Sequence, residues 1–184
     1  MRVGLASLPS VDAITVEQLI NFHEPAALSS CSLAELRSVR EDYQVVENGL
    51  SYARRIVQGR LDTVAVELER RAEEDPDTDL VHRLPAALAT HTRGPGLPRP
   101  SQELEPPPWA DEIVARADAI VGPSMLSDLA SVPEGELVEA RAALAALERE
   151  VSAARREVHT RLDRVQDEIV ARYQAGASVD DLLR

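Results

Sequence analysis

The chain has 184 residues, enough for one ordinary domain, but aromatics are only 3% of it and Phe22 and Trp109 are alone of their kinds, which excludes a thick globular core and favours long helices with narrow seams. A formal net charge of −12 argues against direct binding to DNA or RNA, since polyanions repel an acidic surface, and favours a basic protein partner. Cys31 is the single cysteine, so an internal disulfide and a cysteine-rich metal site are excluded, and an inert thiol is expected.

The N-terminal arm, residues 1–31, carries no basic region followed by a sustained apolar run, and no stretch approaches the roughly 20 apolar residues that span a bilayer. A cytoplasmic protein with no membrane partner is expected. The arm contains one short amphipathic stretch, Thr15 to Phe22.

Ser32 and Glu35 form a Ser-x-x-Glu capping box ahead of the first long helical pattern, which runs to Asp75 and stops at Pro76. A second start is read at Ser131, with Glu134 three residues on and Pro133 in the first turn. That pattern continues to Ala175 and ends at Gly176. Each helix is about 43 residues, roughly 65 Å at 1.5 Å per residue.

Neither helix is apolar all round, so each needs a partner for its stripe. In the first, Leu36, Val39, Tyr43, Val46, Leu50, Ala53, Val57, Leu61, Val64 and Leu68 recur at steps of three and four; in the second, Leu137, Ala140, Leu144, Leu147, Val151, Ala154, Val158, Leu162, Val165 and Ile169 do the same. Both stripes take an extra step of four after Val57 and Val158, a stutter that locally unwinds a coiled coil. The helices are copies offset by 101 positions, with the identities Arg40/Arg141, Arg55/Arg156, Arg60/Arg161 and Glu67/Glu168.

Between them, residues 92–108 are proline-rich and read as an extended linker. Asp79 to Ala89, Trp109 to Val121 and, more weakly, Ser124 to Leu129 are short helical candidates that need a surface to dock on. Trp109 is expected to anchor its helix to the long ones. The expected division is therefore an arm (1–31), a helix (32–75), a connector (76–131), a second helix (132–175) and a tail (176–184). Its fold class is all-α, an antiparallel coiled-coil hairpin. Gly49 and Gly59 read either as points of close approach or as tolerated costs, since the second helix has Glu150 and Thr160 there.

Beside each seam runs a polar ladder: Glu47, Ser51, Arg54, Gln58 and Asp62 on the first helix, Glu148, Ser152, Arg155, His159 and Asp163 on the second. Steps of four, three, four and four keep each ladder within a stripe about 80° wide. One ladder alone reads as the charged flank of a coiled coil. Two copies point to a shared ligand, because a solvated flank has no reason to repeat Ser and Asp, middling helix formers, at matching places.

Glu-x3-Ser-x2-Arg-x3-Gln-x3-Asp on each of two long helices resembles the cyclic di-GMP signature of the RsiG family, anti-sigma factors of sporulating actinobacteria. His159 departs from the motif's Gln and lacks its paired amide function. The resemblance implies two cyclic di-GMP molecules as regulatory ligand, held with a sigma factor of the WhiG or flagellar type, and no catalytic cofactor. Chemically, Arg54 and Arg155 suit guanine O6 and N7 or phosphate, and Asp62 and Asp163 suit the guanine N–H donors on the opposite edge. Ser51, Ser152, Gln58 and His159 add shorter polar contacts. Glu47 and Glu148 sit oddly beside a phosphate and either meet guanine amino groups or position the arginines. The N-terminal arm and the outer helix surfaces are the expected sigma contacts.

The alternative is a structural coiled-coil scaffold with no nucleotide ligand. An enzyme is disfavoured by the lack of a P-loop, a Gly-rich dinucleotide turn, an HExxH motif or paired cysteines, and His23, His82 and His91 have no close ligand partners in sequence.

Overall fold

The computed structural model describes residues 27–72, Pro85 and 106–176. The stretch Thr15 to Phe22, the helical candidate at 79–89 apart from Pro85, most of the proline-rich linker, the tail beyond Gly176 and the histidines His23, His82 and His91 lie outside the described residues.

Helix α1 is Leu33–Ala72, α2 is Pro108–Ile120, α3 is Pro123–Ser127 and α4 is Glu134–Gln174, with single 3₁₀ turns at Leu28–Ser30 and Leu129–Ser131. No strand occurs among the described residues. The fold is all-α, and the two long helices pair along their expected apolar stripes.

The start of α1 is capped as its sequence dictates. Glu35 Oε2 accepts from the Ser32 backbone N–H at 2.7 Å and from its hydroxyl at 2.9 Å, while the Glu35 N–H donates to Ser32 Oγ at 3.2 Å. The second box does not form. Helix α4 begins two residues later than Ser131 and Val132 would allow, with the Leu137 N–H donating to the Pro133 carbonyl, and Ser131 uses its hydroxyl on the Asp128 carbonyl at 3.0 Å. The 101-residue offset explains this, because it aligns Ser32 with Pro133 and Glu35 with Glu136; Ser131 matches a residue of the earlier turn. Gly176, at φ 97°, ends α4 in a left-handed conformation that only glycine adopts without strain.

The chain divides into two compact units, one of Met1–Leu50 with Ser152–Arg184 and the other of Ser51–Val151. In the first unit α1 and α4 run antiparallel. Arg37 hydrogen-bonds the Tyr173 hydroxyl near one end, Arg40 Nη1 donates to Gln166 Oε1 at 3.2 Å, and Arg155 Nε donates to Glu47 Oε1 at 2.9 Å further along. The core is the seam: Leu36, Val39, Tyr43, Val46, Leu50, Ala154, Val158, Val165 and Ile169 are buried.

In the second unit the later half of α1 meets the first half of α4 through Ala53, Val57, Val64, Leu137, Leu144 and Val151, all buried. Here α2 adds a third layer. Its Trp109, Ala110, Ile113 and Ala117 share one buried face, with Val121 beyond it, and each large apolar side chain so removed from water contributes roughly 1.5–3 kcal/mol. Polar contacts set its register: Arg60 of α1 reaches Asp118 and the Val114 carbonyl, and Arg116 pairs with Glu150 of α4 through two bonds of 2.9 and 2.7 Å. Trp109 is 4% exposed, the anchor its position implied. The turn out of α2 needs Gly122, because a Cβ there would lie 2.9 Å from the Asp118 carbonyl oxygen.

Each unit closes with the same clamp. In the second, Glu67, 1% exposed, receives Arg70 and Arg71 at 2.8 Å, and Arg71 Nη2 donates to the Leu129 carbonyl at 2.8 Å. In the first, Glu168 receives Arg172 at 2.7 Å, and Arg172 Nη2 donates to the Ser29 carbonyl at 2.8 Å. Glu67 and Arg71 of one clamp correspond to Glu168 and Arg172 of the other, 101 positions away, whereas Arg70 corresponds to Ala171.

Candidate functional site

The antiparallel pairing brings the glutamate of one ladder to the arginine of the other. In the first unit Glu47, 8% exposed, holds Arg155 Nε at 2.9 Å and His159 Nε2 at 3.2 Å on the same carboxylate oxygen. In the second unit the same exchange is looser: Glu148 Oε1 lies 3.7 Å from Arg54 Nη1, and that Nη1 donates to Gln58 Oε1 at 2.8 Å. The Arg54 Nε–H is buried and finds no acceptor among the described residues. An unsatisfied buried donor costs about 1–3 kcal/mol, so Arg54 stands in a setting that a bound acceptor would improve.

Each unit thus unites four residues of one ladder with the glutamate of the other: Ser152, Arg155, His159 and Asp163 with Glu47, and Ser51, Arg54, Gln58 and Asp62 with Glu148. In each unit the glutamate lies against the arginine of the other ladder. Ser152, Arg155 and His159 are half-buried and Asp163 is exposed; Ser51, Arg54, Gln58 and Asp62 are all half-buried.

The stutter shapes this region. Leu61 and Leu162, the seam residues at the inserted step, are only half-buried although Val57, Val64, Val158 and Val165 beside them are at most 1% exposed. Where the seam residue turns away, the helices leave a gap. In the first unit an open cleft of about 350 Å³ fills it, walled by Arg40, Glu41 and Gln44 of α1 and by His159, Leu162, Asp163 and Gln166 of α4. Gln44 Nε2 donates to Glu47 Oε2 at 3.4 Å and to Asn48 Oδ1 at 3.2 Å, so one wall of the cleft is continuous with the glutamate that holds Arg155.

The cleft presents two carboxylates, one guanidinium, one imidazole and two amides. Such a set can both donate to and accept from a planar heterocycle with mixed edges. Among the described residues no group of three or more His, Cys, Asp and Glu side chains is placed to hold a metal ion, and no helix is long and apolar enough to cross a membrane. Sequence reasoning found the ladders but missed Arg40, Glu41, Gln44 and Gln166. The signal for three of them was a break in the repeat, since Glu41, Gln44 and Gln166 correspond to Ala142, Ala145 and Ala65.

The RsiG-like family model matches residues 22–88 and 123–184, which cover both long helices and both ladders. The chain belongs to the RsiG-like family. Membership makes it an RsiG-type anti-sigma factor, of a family whose role is regulatory and whose partner is a sigma factor. The match leaves out residues 89–122, so α2 and its Trp109 anchor fall wholly in the part of the chain that the family pattern does not include. No curated protein matches the chain.

Proposed function

We propose that this RsiG-like chain is a cytoplasmic, nucleotide-gated inhibitor: it binds cyclic di-GMP through the two ladders and, so loaded, holds a WhiG-type sigma factor of a sporulation or flagellar programme away from RNA polymerase. The observation that carries the reading is the exchange of glutamates between the ladders. Glu47 and Glu148 each face the arginine of the opposite copy, which supplies two similar half-polar sites for a ligand that is itself two-fold symmetric. Guanine offers O6 and N7 to a guanidinium, and its N–H edge suits Asp62 and Asp163. A carboxylate held on the flank of each arginine would fix the plane in which the guanidinium meets base or phosphate. The chain's acidity favours a partner with basic polymerase- and DNA-facing surfaces.

Arg54→Ala combined with Arg155→Ala is the direct test. Both side chains are about one-third exposed, so the helices are expected to persist by circular dichroism while cyclic di-GMP binding in calorimetry and nucleotide-dependent capture of the sigma factor disappear. Undiminished nucleotide binding by that variant would refute the site.

One observation favours the scaffold alternative: the ladder side chains also satisfy each other, as Arg155 does on Glu47 and Arg54 on Gln58, which gives the ladders a packing role without a ligand. On that reading guanine nucleotides leave the melting temperature unchanged.

A further inference from the structure

We infer that the two ladders bind unequally, with the cleft of the first unit as the tighter and more base-selective site because Gln44 and Gln166 contact the ligand there. The inference rests on the cyclic di-GMP reading and adds two specificity residues that lie outside both ladders.

Three observations carry it. The cleft lies beside His159 and Asp163 of the second ladder, and Gln44 and Gln166 stand on its opposite walls. Both amides are already oriented, Gln166 Oε1 by Arg40 at 3.2 Å and Gln44 Nε2 by Asn48 and Glu47, so less side-chain freedom is lost when a ligand arrives. At the corresponding places the second unit has Ala145 and Ala65, which carry no polar side-chain atom and contribute no hydrogen bond to a base.

A primary amide donates and accepts at once, and guanine has both kinds of group along its edges. Each such hydrogen bond contributes modestly, net of the water it replaces, and two of them separate the sites by roughly tenfold in affinity. Arg155 is aligned by Glu47 at 2.9 Å. The Arg54 Nε–H, buried without an acceptor among the described residues, offers the second unit one ligand contact, against the two amides of the first.

The test titrates cyclic di-GMP into the full chain premixed with its sigma factor, as wild type and as Gln44→Ala with Gln166→Ala. Both glutamines are exposed, so the variant is expected to melt like the wild type. The wild type is expected to show two binding steps about tenfold apart, and the variant to lose about tenfold on the tighter step alone, merging the two. The reciprocal variant, Ala65→Gln with Ala145→Gln, is expected to strengthen the weaker step. Two equal steps in the wild type, or a loss in the glutamine variant that is under twofold or spread over both steps, would overturn the inference while leaving nucleotide binding in place. A wild type that takes up no cyclic di-GMP would instead overturn the reading beneath it.

Discussion

The carboxylate of Glu47 on α1 accepts the Nε–H of Arg155 on α4 at 2.9 Å, and its side chain is only 10% exposed while that of Arg155 is 34% exposed. The pair joins members of different ladder copies that are 108 residues apart in sequence. A half-buried ion pair of this kind acts through the cost of breaking it, since the more buried partner is left without compensation. Arg155→Ala, which strands the buried carboxylate, is therefore expected to destabilise the chain more than Glu47→Ala, which leaves a guanidinium that water can reach. A thermal double-mutant cycle is expected to return a coupling energy of about 1 kcal/mol; a coupling near zero would mean that the pair plays no part in holding the helices together.

Gly59 lies inside α1, and a Cβ added there meets nothing within 4 Å. Close approach is thus not its role, and of the two readings of this glycine, tolerated cost is the one the packing supports. Gly59→Ala is expected to raise stability by about 1 kcal/mol by restoring helix propensity. Gly122→Ala is expected to do the reverse, because its Cβ would collide with the Asp118 carbonyl 2.9 Å away. Chemical denaturation of the two variants checks both signs.

Trp109 secures α2 on the second unit with 4% of its surface exposed. Its replacement by alanine is expected to cost about 3–5 kcal/mol, and to release protection of the α2 amides before those of α1 in hydrogen exchange. Simultaneous loss in both helices would show that α2 is not a separable layer.

Acid should weaken the fold in a predictable direction. The Glu67 carboxyl is held below its ordinary range, chiefly by the hydrogen bond from Arg70 and then by Arg71, against the opposing effect of burial. Glu150 is lowered by its bonds from Arg116, and Glu35 by the backbone and side chain of Ser32. A carboxyl whose folded pKa is depressed contributes in full above its unfolded value, about 4.3 for glutamate, and its contribution vanishes as pH falls through the depressed one. Melting temperature is accordingly expected to be flat from neutrality to about pH 5 and to decline below it. Glu67→Gln is expected to lower the plateau and make the acid slope shallower; an unchanged slope would remove Glu67 from the account.

The seam was legible because burial leaves a periodic mark. Of its twenty expected positions, Leu61, Leu68 and Leu162 alone are half-buried rather than buried, and Leu61 and Leu162 are the stutter residues, where the pattern itself forecast a disturbance. The ladder members were legible as a repeat, whereas their pairing was not, since which glutamate meets which arginine depends on antiparallel register and no single copy encodes that. Ser131 misled for a related reason: a local capping signature lost to a turn whose place is fixed by the repeat. Gln44 and Gln166 escaped notice because attention to what the copies share passes over the places where they differ.

The clamps at Arg71 and Arg172 bear on how the helices open. Arg172, in the last turn of α4, grips the carbonyls of the turn that leads into α1, and Arg71 does the same from α1 to the turn that leads into α4. Terminal turns of an isolated helix breathe independently, but here the final turn of one helix and the entry to the other must let go together. Within each unit the amides of the two clamped turns should therefore report one common opening free energy.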